Sequence, residues 1–88
     1  MAAAFTEYAG TLTNGAVTIP ANPRRRGMII GNPSDTVMTW RIGATATATV
    51  GVPIAAGSDM AFRDNWVPAD SVTLFCAGTS KAYTIYEW

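Results

Sequence analysis

Thr36-Val37-Met38-Thr39-Trp40-Arg41-Ile42 is the stretch on which the fold class turns. Apolar and polar side chains alternate along it, so Met38, Trp40 and Ile42 share one face and Val37, Thr39 and Arg41 the other. That is the period of a half-buried β-strand and not of a helix. The first set is expected in the core, with Arg41 reaching solvent or a partner. Ser71-Val72-Thr73-Leu74-Phe75-Cys76-Ala77 repeats the pattern. Val72, Leu74 and Cys76 are expected inward, which leaves Phe75 conspicuous on the outer face. At the end of the chain Tyr83 and Ile85 oppose Thr84, Tyr86 and Trp88. Aromatics on both faces suit a strand with the core on one side and a neighbouring subunit on the other.

Working outward, no segment sustains the i, i+3, i+4, i+7 recurrence of an amphipathic helix. Strands are expected near residues 7–13, 16–19, 27–30, 36–42, 59–63, 71–77 and 82–88, with a weaker piece near 45–50. The predicted fold is all-β, a small antiparallel β-sandwich, jelly roll or barrel of seven to eight short strands. Asn14-Gly15 tolerates the positive φ angles of a two-residue hairpin turn, so the first two strands are expected to pair as a hairpin. Asn32-Pro33-Ser34-Asp35 and Ala77-Gly78-Thr79-Ser80 are read as further tight reversals. Gly51-Val52-Pro53-Ile54-Ala55-Ala56-Gly57 lacks the glycine spacing of a phosphate loop and is read as a connection.

Composition limits the chemistry. The 88 residues make one domain, 1–88, with the first five or so loosely held. Six basic side chains balance six acidic ones, which argues against electrostatic capture by nucleic acid or an anionic membrane. Only 14% of residues are charged, against about 25% in an average soluble domain, so part of the surface is expected to be covered by a partner, copies of the chain included. With no histidine, the commonest general base and metal ligand is missing. The lone Cys76 excludes an intrachain disulfide and every multi-thiolate zinc pattern, and its apolar setting reads as a small buried hydrophobe. Asp59, Asp64 and Asp70 lack the spacing of a calcium loop and read as turn residues. No cofactor, metal or catalytic set is implied, and Met1-Ala2-Ala3-Ala4 lacks the basic start and apolar core expected of a signal peptide.

The residues left are candidates for contact. Arg24-Arg25-Arg26 follows the extended Pro20-Ala21-Asn22-Pro23, where planar guanidinium groups could pair with acidic side chains of another protein; a solvated loop is the plain alternative. Trp66, beside Val67-Pro68 in a loop, is the best single exposed anchor. Trp40, Trp66 and Trp88 could also form a sugar-stacking platform, though packing explains Trp40 better. Phe75 and Trp88 are expected between subunits, with Trp88, as the last residue, the one most open to fraying.

The segments Gly31-Asn32-Pro33-Ser34-Asp35-Thr36 through Arg41-Ile42-Gly43, the run from Gly51 to Gly57 leading to Phe62, and the ending from Phe75 to Thr84 together resemble small all-β virion proteins of tailed bacteriophages that decorate or cement the head. The likeness spans roughly the last two-thirds of the chain and lies in turn and strand pattern. It implies a protein of the capsid surface, made in the host cytoplasm, binding the major capsid protein and itself, most plausibly as a homotrimer. It implies no catalytic residue. A fibre or tail accessory protein, or a carbohydrate-binding receptor module, is the alternative.

Overall fold

The computed structural model of the chain describes residues 4–63 and 66–88. Among them the backbone forms eight strands: β1 Thr6–Leu12, β2 Gly15–Ile19, β3 Gly27–Gly31, β4 Met38–Ile42, β5 Val52–Ile54, β6 Asp59–Arg63, β7 Val72–Cys76 and β8 Lys81–Glu87. They build two four-stranded antiparallel sheets, sheet A in the order β1-β8-β3-β6 and sheet B in the order β2-β7-β4-β5. The all-β antiparallel class expected from the alternation is the one adopted. Of the three architectures left open, it is a sandwich with jelly-roll strand order.

That order follows from doubling the chain back about the β4–β5 connection. Then β4 meets β5, β3 meets β6, β2 meets β7 and β1 meets β8, and alternate pairs go to alternate sheets. Every link except β4–β5 therefore crosses between sheets, which corrects the hairpin expected of the first two strands. Asn14-Gly15 does not close a hairpin, because β1 pairs with β8 and β2 with β7. Asn14 does adopt a positive φ of 43°, but it uses that bend to turn a corner, its N–H donating to Gly78 O at 2.8 Å. The Ala77–Ser80 turn is the matching corner from β7 to β8, tied back by Ser80 N–H to Thr13 Oγ1 at 2.9 Å. Asn32–Asp35 likewise carries the chain from sheet A to sheet B. Gly15 does not share the positive φ of Asn14, so the pair of positive angles of a two-residue hairpin turn is not formed; Asn and Gly favour a bend of either kind, so the local signal is common to both.

The strand expected near 45–50 is a loop, and the fifth strand lies instead at Val52–Ile54, in the segment read as a connection. Pro53 is tolerated there because β5 is an edge of sheet B. The alternate residues of the 45–50 stretch, Ala46, Ala48 and Val50, are small, and only Ala46 is buried.

The core lies between the sheets. Met28, Ile30, Phe62, Tyr83 and Ile85 come from sheet A; Ile19, Met38, Trp40, Ile54, Val72, Leu74 and Cys76 come from sheet B. Met38, Trp40, Val72, Leu74, Cys76, Tyr83 and Ile85 are inward as alternation predicts, while Ile42, expected with Met38 and Trp40, is half-buried at the edge of the core. Trp40 and Phe62 meet across the interface edge-to-face at 5.0 Å. The radius of gyration is 12.3 Å, as expected for a compact chain of this length.

Candidate interaction surface

The two outer faces differ. The chain's own β4–β5 loop lies over part of sheet B, at Thr39 and Thr73, while Ala16, Thr18, Arg41 and Pro53 on the same face stay exposed. Thr39 Oγ1 donates to Thr47 O at 2.6 Å, and Thr73 Oγ1 donates to Ala44 O at 2.7 Å while accepting from Ala46 N–H at 2.8 Å. Three small hydroxyls and amides thus pin a loop across the sheet, so Thr39 and Thr73 are buried although they point away from the core. Phe75 stands on this same face, between Ala16 and Thr39 in the register, and is half-buried.

Sheet A has no such cover among the described residues. The register sets Glu7, Tyr86, Ile29 and Ala61 in one row across the outer face. In the next row the Trp88 indole lies flat on Gly27, where a Cβ would overlap the ring. Only glycine permits that approach. Phe5 stacks edge-to-face on Tyr86 at 5.4 Å, and Phe5, Ile29, Tyr86 and Trp88 line an open groove of ≈ 370 Å³. Phe5 is 64% exposed and Tyr86 36%. The Glu7 carboxylate beside Tyr86 raises its phenol above the ordinary range, by hydrogen bonding and by its charge. Trp88 is held at both backbone polar groups, donating to Gly27 O and accepting from Gly27 N–H, each at 3.1 Å.

The three adjacent arginines have different fates. Arg24 and Arg26 are exposed. Arg25 is buried and is taken out of the set of contact candidates. Its Nε lies 2.6 Å from Glu87 Oε2, and its Nη atoms donate to the carbonyls of Pro20, Pro68 and Asp70. The cause is the alternation of β8. After Tyr83 and Ile85 the next inward position is Glu87, and a carboxylate aimed between the sheets needs a cation and donors. Tyr8 adds a hydrogen bond to the other oxygen of Glu87 at 3.1 Å. Burial, that bond and the Glu87 charge push the Tyr8 phenol up.

Trp66 is 57% exposed, with its ring edge against Phe62 at 5.6 Å. Neighbouring Asp64 and Asn65 lie outside the described residues. Cys76 is fully buried, and burial raises its thiol, as suits a small hydrophobe. Asp59 and Asp70 are exposed at a strand start and a bend, and among the described residues no three His, Cys, Asp or Glu side chains converge.

Of the contact candidates, Trp88 and Arg26 come together, the Arg26 N–H donating to Trp88 O. Phe75 is on the opposite sheet. Phe5, Ile29 and Tyr86 complete the groove; the sequence places Tyr86 on one face with Trp88, whereas it does not single out Phe5 and Ile29. Their signal was the second face of a strand: in Met28-Ile29-Ile30 the middle residue is apolar too, and a run without polar alternation means cover on both sides. Comparison with family models, curated proteins and solved structures finds no match for this chain.

Proposed function

We propose that this is a structural virion protein that decorates or cements a bacteriophage capsid, binding the major capsid protein of the assembled head and stabilising the joints between its subunits. The observation that supports the reading is the apolar groove on the outer face of sheet A, lined by Phe5, Ile29, Tyr86 and Trp88, in which Phe5 and Tyr86 are exposed. A domain with a bare apolar face gains by occupying it with protein. A ligand that binds only the assembled lattice stabilises that lattice by mass action, and repeated copies multiply the effect. The jelly roll agrees with the reading only by analogy, since lectin domains share it. The working unit is a homotrimer seated where the shell has three-fold or quasi-three-fold symmetry, because each copy then repeats one contact and cyclic closure leaves no free face. Nucleic acid, membrane and cofactor have no part in it.

The test is copy number. Purified virions should carry the protein in many copies on the head, and heads stripped of it should rupture at lower temperature. A few copies, or copies confined to the tail, would end the proposal. The exposed ring of Trp66 favours a second reading, a receptor or fibre module that stacks a sugar ring. Quenching or shifting of Trp66 fluorescence by glycans, abolished in Trp66→Ala, would select that reading.

A further inference from the structure

We infer that Asn14 is a site of spontaneous covalent modification, where ring closure onto the Gly15 nitrogen followed by hydrolysis turns the carboxamide into an aspartyl or isoaspartyl link. The chain has four asparagines, Asn14, Asn22, Asn32 and Asn65. Asn22 and Asn32 each precede a proline, whose nitrogen carries no hydrogen and cannot close the ring. Asn65 lies outside the described residues and precedes Trp66, whose bulk hinders attack by its nitrogen. Asn14 alone precedes a glycine, with no side chain in the way.

The fold leaves this pair open to reaction. Asn14 is exposed at the corner between β1 and β2. Among the described residues no hydrogen bond holds its carboxamide. By contrast, Asn22 Oδ1 accepts from Arg24 N–H at 3.0 Å, and Asn32 Nδ2 donates to Thr36 O at 2.9 Å and Ile54 O at 3.1 Å. Gly15 has no positive φ, and a Cβ there would meet only Thr13 O, at 3.4 Å, so nothing in the corner requires glycine at this position. The corner is also lightly held. Asn14 N–H donates to Gly78 O at 2.8 Å and Ser80 N–H to Thr13 Oγ1 at 2.9 Å, and Thr13, Gly78 and Ser80 are all exposed. Beyond it β2 is an edge strand of sheet B. Such a corner opens locally while the core stays folded, which frees Asn14 to bring its Cγ to the Gly15 nitrogen.

Water is the only co-reactant. The Gly15 nitrogen bonds to Asn14 Cγ, the Cγ–Nδ2 bond breaks, and Nδ2 leaves as ammonia with the proton lost from Gly15. Water then opens the succinimide at one of its two carbonyls. Aspartate keeps the backbone and tolerates the positive φ of this position. Isoaspartate puts one more carbon into the link between the sheets. Either product takes the formal net charge from zero to one negative.

Incubation of the folded whole chain in mildly alkaline buffer tests this, read by peptide mass mapping, isoelectric focusing and enzymatic methylation of isoaspartate. The expected result is progressive amide-to-acid conversion at Asn14, with isoaspartate among the products, while Asn22 and Asn32 keep their amides. Gly15→Ala should match the parent in circular dichroism and urea titration, and should convert several-fold more slowly because its methyl crowds the attacking nitrogen. Asn14→Gly, which keeps the positive φ available, should give no acidic form. An amide at Asn14 that persists in the folded chain and is lost only in urea overturns the inference, since the corner then protects the site. Equally fast conversion in a folded Gly15→Ala, or at Asn22 or Asn32, overturns it as well. Should Gly15→Ala fail to fold, the parent's products decide: aspartate without isoaspartate would mean direct hydrolysis and would end the ring route.

Discussion

Arg25→Ala should destabilise the domain far more than the same change at either neighbouring arginine. All three substitutions remove one positive charge from adjacent positions, so net charge cannot explain a difference. Arg25 has a side chain with no exposure, and its partner Glu87 has 7%. Removing it strands a buried carboxylate, which costs about 3–5 kcal/mol. It also takes the donor from the carbonyls of Pro20, Pro68 and Asp70, which places the loss toward the top of that range. An 88-residue domain has a stability of about 4–13 kcal/mol, so the variant loses a large fraction of it. At about 4–8 °C per kcal/mol, Tm should fall by roughly 12 °C or more. Arg24→Ala and Arg26→Ala should stay within about 0.5 kcal/mol of the parent. Arg25→Lys should rescue little, because one ammonium cannot span Glu87 and three carbonyls on separate segments. Urea unfolding followed by tryptophan fluorescence, in dilute protein and with m compared between variants, gives the differences directly. Equal losses at Arg24 and Arg25 would refute the buried pair and the reasoning built on it.

Other expectations follow from the same geometry. Gly27→Ala forces a methyl into the Trp88 ring and should cost about 1–3 kcal/mol with a changed near-ultraviolet tryptophan signal; an unperturbed variant would mean that Trp88 does not lie there. Thr73→Val removes the acceptor of Ala46 N–H and the donor to Ala44 O, costing about 1–3 kcal/mol, and hydrogen exchange at Ala46 should accelerate ahead of global unfolding. Stability should also decline in alkali. The folded chain raises the Tyr8 phenol and the Cys76 thiol, so it holds those protons more tightly than the unfolded chain. Their contribution is whole below the unfolded values, about 8.5 for the thiol and 10 for the phenol, and is lost as pH climbs through the folded ones. Tyr8→Phe should flatten the upper part of that slope, and an unchanged slope would remove Tyr8 as its source.

Reading the chain residue by residue was enough to establish the all-β class and most of the inward side chains. Alternation is a property of a single strand, so Met38 and Trp40, Val72, Leu74 and Cys76, and Tyr83 and Ile85 could be assigned without knowing their neighbours. The same rule, carried one step further along β8, would have turned Glu87 inward and asked for a cation. Which arginine of three would answer could not be read, because the choice depends on where Pro20, Pro68 and Asp70 bring their carbonyls. Pairing was hidden for a related reason. Asn14-Gly15 is a dipeptide that suits a hairpin and a sheet-crossing corner alike, and only the closure of two sheets over one core sends β1 to β8 and β2 to β7. The groove on sheet A is likewise a product of tertiary structure. Alternation puts Tyr86 and Trp88 on one face of β8, but Phe5 and Ile29 belong to other stretches of chain, and nothing local to them says that they join that face.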